Sequence, residues 1–367
     1  MTNNPRYTLG TEANRIFMAS ETYELLKFGK GFPAPDGGSG WLNADGTLDP
    51  SHGVETWITS RMAHVYSIGA MLGYPGAGEL ADAALKGLTG ILHDDEHGGW
   101  YPQVFADGTH APLKVFYAHA FVILAASSAL LAGRPGAKEL LDEALATYDK
   151  HFWDDEIGLA VDTWNTEFTE LDPYRGLNAN MHTTEAFLAV ADATGNNTYR
   201  VRAGRIIDHV IEWARLIVQW ALSSFANRDG ARPYIDAAEH LFARAVDDAW
   251  NVDGAQGLVY TTDWNGMPVV TDRMHWTAAE SLNTAATLHA ATGEARYADW
   301  YATFARYVDE HVIDHEGGSW FHQLDGGNHV IGTVWPGKSD LYHAFQSTLI
   351  PFLDPAVSIA TAVKNAA

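Results

Sequence analysis

The chain of 367 residues carries 46 Asp and Glu against 23 Lys and Arg, a formal net charge of -23. A field of that sign repels phosphate backbones, anionic lipid and, without a local cationic pocket, anionic small molecules, which argues against nucleic-acid and membrane partners. The absence of cysteine excludes disulfides, thiolate metal sites and a Cys nucleophile. The first residues, Met1-Thr-Asn-Asn-Pro-Arg-Tyr7, lack the charged-then-apolar pattern of a secretory leader. No later apolar run reaches the roughly 18 residues of a membrane span, so a cytoplasmic location is expected. The 13 Trp, 15 Tyr and 15 Phe serve either as core filling or as flat apolar faces for a ligand's ring.

In chain order, apolar residues recurring at three and four predict helices over 11–28, 54–72, 77–92, 114–132, 137–151, 178–193, 197–211, 212–226, 232–249, 274–290, 294–312 and 341–352. No linker divides them, which predicts a single domain over 1–367. An internal repeat does divide them. Gly73-Tyr-Pro-Gly-Ala-Gly-Glu-Leu80 matches Gly133-Arg-Pro-Gly-Ala-Lys-Glu-Leu140. Thr194-Gly195-Asn-Asn-Thr-Tyr199 and Thr292-Gly293-Glu-Ala-Arg-Tyr297 hold the same place in the cycle, and Asp229-Gly230-Ala-Arg-Pro-Tyr234 is a weaker copy. A second marker follows the same cycle: Gly98-Gly-Trp100, Gly158-Leu-Ala160, Gly257-Leu-Val-Tyr260 and Gly317-Gly-Ser-Trp320. Strand signals are short, as over Gly257 to Thr262, and suit small hairpins at helix ends. Paired helices without polar end caps predict an all-α (α/α)6 barrel, a ring of six helical hairpins, rather than an open solenoid.

One interval is short. Gly195 to Gly230 spans 35 residues, where the other glycine markers are 60, 62 and 63 apart. The seventh and eighth helices run together through Asp208-His-Val-Ile-Glu-Trp213, yet adjacent antiparallel helices need a turn. Either one long helix forms or a connecting segment is absent. The favoured expectation is a lid segment missing between Ile211 and Glu212.

The even-numbered helices carry polar residues spaced to share one face. These are Trp57, Arg61 and His64; Asn178, His182 and Glu185; His209, Glu212 and Trp213; Trp276, Glu280 and Asn283; and Ser339, His343 and Gln346. Each set lies among apolar neighbours and is expected to be buried, where polar groups need partners or a ligand. One such group is usually a satisfied core residue; five on consecutive inner helices point to one axial pocket. The set suits sugar chemistry: imidazoles to shuttle protons near neutral pH, and Arg with Asn for a developing enediolate oxygen. There is no phosphate loop or nucleophile elbow. His182-Thr-Thr-Glu185 and His209-Val-Ile-Glu212 lack the His-Glu-x-x-His pattern, so neither a metal nor a cofactor is expected.

Six stretches together resemble the N-acylglucosamine 2-epimerase superfamily, over nearly the whole chain. They are Trp57-Ile-Thr-Ser-Arg61-Met62, Tyr117-Ala-His-Ala-Phe121, Asn178-Ala-Asn-Met-His182-Thr-Thr-Glu185-Ala-Phe187, Glu212-Trp-Ala-Arg-Leu216, Met274-His-Trp276-Thr-Ala-Ala-Glu280 and Lys338-Ser-Asp-Leu-Tyr-His343-Ala344. The resemblance implies an (α/α)6 barrel and metal-free proton transfer through a cis-enediolate. It implies that Arg61 binds substrate oxygens, that Asn178 and His182 assist, and that His343 transfers a proton. Trp57 and Trp276 would wall the sugar, with Tyr117 beside it, and Glu212 and Glu280 would contact hydroxyls or orient His. The family's second proton-transferring His opens a Pro-Gly-His-x-x-Glu-Trp motif. Here Glu212-Trp213 fits and His209 has the right spacing, but Asp208 replaces the Gly and the usual long loop is absent. His209 therefore reads either as that imidazole or as the end of the seventh helix.

The stretch Met274 to Glu280 resembles the aldose–ketose isomerase branch, which implies a monosaccharide substrate and most directly mannose–fructose interconversion. Sulfoquinovose isomerisation and 2-epimerisation are the alternatives within the family. Outside it stand an (α/α)6 glycoside hydrolase using Glu212 and Glu280, and a glycan-binding barrel with no need of His182 and His343. The sequence leaves a homo-oligomer open.

Overall fold

The structure, a computed structural model, describes residues 4–174, 176–209 and 214–366, with the backbone alone at 208 and 209. Among these, thirteen α-helices follow in chain order: α1 Glu12–Gly29, α2 Thr56–Met71, α3 Ala77–Leu88, α4 Phe116–Leu131, α5 Ala137–His151, α6 Leu177–Thr194, α7 Asn197–His209, α8 Ala214–Ser224, α9 Arg228–Ala249, α10 His275–Thr292, α11 Ala295–Tyr307, α12 Tyr342–Leu349 and α13 Ile359–Ala366. Twelve of them match the helices read from the sequence. The eight-residue α13 was not expected. No helix among the described residues is long and apolar enough to cross a membrane.

The chain groups into two compact units, one holding α2–α7 with α13, the other α1 with α8–α12. In the first, α2, α4 and α6 pack side by side, and α3, α5 and α7 each pack on the helix that precedes them. Burial explains the division. Helix α4 is apolar all round, and its Ser127 and Ser128 hydroxyls donate back to the Ile123 and Leu124 carbonyls, as a fully enclosed helix requires. Helix α3 buries only a stripe, Ala77, Ala81, Ala84, Leu85 and Leu88. Helix α13 closes against α2, α4 and α6. In the second unit, α10 lies between α8 and α12, α9 packs on α8, and α11 packs on α10. The Thr22 and Thr348 hydroxyls hydrogen-bond at 2.7 Å, so α1 joins α12.

The first repeat marker is the turn after an inner helix. Gly73, Gly133, Gly195 and Gly293 have φ of 78, 66, 73 and 75°, the left-handed geometry that ends a helix and favours glycine. Gly230 is not one of these turns. It lies in the first turn of α9, where the Asn227 side chain accepts its N–H at 2.9 Å, so Asn capping replaces the glycine turn. The helix accordingly starts at Arg228, before the predicted 232, with Pro233 inside it.

The second marker is the return loop from an outer helix. The carboxylates of Asp94, Asp154 and Asp314 accept N–H groups two and three residues ahead. Two of these turns are tied to the segment before the next inner helix by Lys114 and Lys338. Burial alone would raise the Asp94 carboxyl, but the Lys114 ammonium at 2.7 Å and the turn N–H groups hold it well below the usual range. The strands are short. The predicted Gly257–Thr262 hairpin forms further along, pairing Thr261–Thr262 with Pro268–Val270.

Candidate active site

Each unit sets out its own cluster, built by residues that recur at three and four on inner helices. In the first unit, α2 carries Trp57, Arg61 and His64, α4 carries Tyr117 and Phe121, and α6 carries His182 and Glu185. Arg61 is buried. Its guanidinium lies 4.4 Å from the centre of the Phe121 ring and 4.8 Å from that of Trp57, and it donates to the Tyr117 hydroxyl at 3.0 Å. These aromatic faces hold the charge through the ring quadrupole while fixing its direction. His182 packs on Phe121 at 4.5 Å and edge-on to Tyr117 at 5.3 Å, with Nδ1 3.5 Å from the Glu185 carboxylate. Trp57 and Tyr117 are half-buried, and the Trp57 indole donates to Glu55.

His64, one turn deeper, is closed in. Its Nδ1 meets the Ser128 hydroxyl at 2.7 Å, and that hydroxyl already donates to Leu124, so His64 is the donor. Burial lowers its pKa to about 4, with Glu185 opposing and Arg61 adding to the shift. A neutral imidazole held this way is a core group.

Asn178 departs from expectation. It is exposed in the first turn of α6, and the buried amide is that of Asn180. Asn180 accepts the Ala160 N–H at 2.9 Å and donates to the Gly176 carbonyl at 3.1 Å, so it ties the preceding loop to α6.

In the second unit the centre is Glu280 on α10. Its Oε1 meets Nδ1 of His343, on α12, at 3.0 Å, and its Oε2 accepts from Nε of Arg215, on α8, at 3.3 Å. A carboxylate on Nδ1 selects the tautomer that leaves Nε2 without a hydrogen, able to take a proton. The Trp276 ring lies 6.2 Å from that of His343, with Tyr260 edge-on behind it at 5.7 Å. Asn283 and Gln346 are fully buried. Ser339 is also buried, but it precedes α12 rather than sharing the helical face expected for it.

Behind His343 sits a group that the sequence did not single out. His275 and His322 stack at 4.2 Å, and the His275 ring lies 6.2 Å from that of His343. His322 donates through Nε2 to the Asp340 carbonyl at 3.2 Å, and the Asp340 carboxylate is 3.8 Å from His275 Nε2. Burial holds both rings neutral, lowering His322 to about 4 and His275 well below the ordinary value. Arg215 was missed too, although it lies in a stretch already singled out, because its partner is on another helix. Helix α7 ends at His209, whose side chain lies outside the described residues, as do Glu212, Trp213 and the Ile211–Glu212 junction.

A sequence model of the N-acylglucosamine 2-epimerase (GlcNAc 2-epimerase) family matches residues 37–211 and 208–347. The chain belongs to the N-acylglucosamine 2-epimerase family. D-mannose isomerase from Thermobifida fusca is 39% identical over 96% of this chain and 98% of its own length. D-mannose isomerase from Pseudomonas cannabina pv. alisalensis is 38% identical over 97% of each. A crystal structure of D-mannose isomerase superposes with a TM-score of 0.83 at 23% identity, covering 92% of this chain and 97% of that one. The family member described here therefore has the all-α (α/α)6-barrel fold and is an isomerase. The two matched stretches meet at residues 208–211, within the short repeat interval. The alignments with the two relatives run over 400 and 403 positions, more than the 367 residues of this chain, so both relatives carry residues that this chain lacks.

Proposed function

We propose that this family member interconverts D-mannose and D-fructose by proton transfer through a cis-enediolate. The observation that carries the reading is the His343–Glu280 pair, an imidazole with one nitrogen fixed on a carboxylate and the other left to move a proton. Nε2 of His343 takes the proton from C2 of the open-chain aldose, leaving a cis-enediolate. A proton returns to C1, from the same imidazole or from the second proton-transferring group that the family resemblance implies, while the hydroxyl proton passes from O2 to O1, which gives the 2-ketose with every atom accounted for. The family resemblance gives Arg61 the substrate oxygens and the developing negative charge, a role that its fixed guanidinium suits. His182, Asn178 and Tyr117 would bind hydroxyls, and Trp57 and Trp276 would cover the ring. The same resemblance gives His209 or an absent residue the second proton transfer, and Glu212 the orientation of that group.

The D-mannose isomerases that resemble this chain over nearly its full length support the choice of mannose. Glu280 is committed to His343 and Arg215, which disfavours it as one of two carboxylates flanking a glycosidic bond. The test is incubation with a panel of free aldoses and assay for ketose. Fructose from mannose, faster than ketose from any other aldose, is the expected result. A ketose formed faster from sulfoquinovose would change the substrate, and reducing sugar released from a glycoside would overturn the isomerase mechanism.

A further inference from the structure

Three neighbouring inner helices of one unit each contribute one member to a chain of charge. Arg215 from α8 donates through Nε to one oxygen of Glu280, and the other oxygen of that α10 carboxylate meets His343 of α12. The Arg215 and His343 side chains are only 10% and 8% exposed, and Glu280 is 30% exposed, so water screens these interactions incompletely. A carboxylate bound to Nδ1 favours the protonated imidazole; a guanidinium on the same carboxylate opposes that bias. Among the described residues, the Tyr342 ring lies 4.8 Å from that of His343, and other charged or titratable groups surround it. His275 of α10, together with His322, is held neutral by burial. Asp340 accepts the Tyr342 N–H at 3.0 Å and faces His275. Lys338 pairs with Asp314. Helix α1 presents Thr22 to α12, and burial raises the carboxyl of its Glu21 above the ordinary carboxylate range. The segment 350–352 after α12 is Ile-Pro-Phe, with nothing to titrate.

We propose that Arg215 is a positioning residue that sets the working pH of His343. By holding the second oxygen of Glu280 it fixes the carboxylate against Nδ1 and offsets part of its charge, so His343 gives up its proton at lower pH than Glu280 alone would allow. The inference rests on the reading of His343 as the proton-transferring imidazole.

The test compares Arg215→Met, Arg215→Gln and Arg215→Lys with the unaltered protein. Both neutral variants are expected to move the acidic limb of the kcat–pH profile up by about one pH unit. They should lower kcat about tenfold and leave KM within about twofold, the pattern of a group that acts through the chemistry rather than through binding. Arg215→Lys should bring the limb back. A second readout needs no substrate: the NMR titration of the His343 ring, assigned by its loss in His343→Gln, should shift upward in the neutral variants. An unmoved titration in either folded neutral variant overturns the proposal, and so does a KM raised tenfold with the limb in place, which would make Arg215 a substrate ligand. If the unaltered protein turns over no aldose, the isomerase reading fails, while the titration still decides the role of Arg215.

Discussion

At the scale of single residues the account turns on His343 and Arg61. His343→Ala should lower kcat by about 10²–10⁴-fold, the usual contribution of a general acid–base group. Arg61→Ala should be comparably impaired, since a buried guanidinium aimed by Trp57, Phe121 and Tyr117 has no substitute nearby in its cluster. Circular dichroism should show both variants folded, and steady-state rates on mannose check the expectation; near-normal turnover by His343→Ala would remove it from the mechanism. These residues were legible in the sequence because a polar group recurring on an apolar helix face has few bland explanations. Periodicity within one helix is blind to partners on another, and for that reason Arg215 was overlooked. It also cannot separate neighbours: His275, beside Trp276, and Asn180, beside Asn178, are the buried members of their pairs. His64 shows the opposite error, since it satisfies the same spacing yet ends in a closed hydrogen bond to Ser128.

At the scale of elements, the repeat markers carried the fold, because a helical hairpin needs a left-handed residue at its turn and the return loop needs a compact one. Gly99 shows how tight that loop is. Its φ is +71°, and a Cβ there would stand 2.7 Å from Nε2 of His119. That nitrogen accepts the Trp100 N–H at 3.1 Å, while Nδ1 donates to the Val115 carbonyl at 2.8 Å. Gly99→Ala must therefore strain its own backbone and displace His119, and should cost at least about 1–3 kcal/mol. Denaturant unfolding measures this; an unchanged midpoint would contradict it. Elements defined by capping rather than by glycine were less legible, hence the early start of α9 behind Asn227. Helix α13 was not read from the sequence, and its place is set by contacts with α2, α4 and α6. The short interval after Gly195 was legible as an anomaly, and the two stretches of the family match meet there.

At the scale of the whole molecule, burial keeps these four imidazoles neutral: His64 and His322 near 4, His119 near 3, and His275 well below its ordinary value of 6.5. In the unfolded chain the same groups titrate near 6.5, so between about pH 6.5 and 4 unfolding takes up protons and stability must fall as pH falls. At pH 5 the uptake should be about three to four protons. The dependence of Tm on pH measures it, and His119→Gln should reduce the slope by about one proton; a Tm level from pH 6.5 to 5 would contradict it. On the proposed mechanism, function at this scale rests on proton transfer at carbon. The most direct measurement is NMR of D-mannose held with the protein in heavy water until the sugars reach equilibrium, so that repeated turnover washes in any exchangeable label. The account predicts fructose carrying deuterium at C1 and remaining mannose carrying it at C2. Fructose and mannose that keep their original hydrogens at those carbons would contradict the enediolate and point to a direct hydride shift.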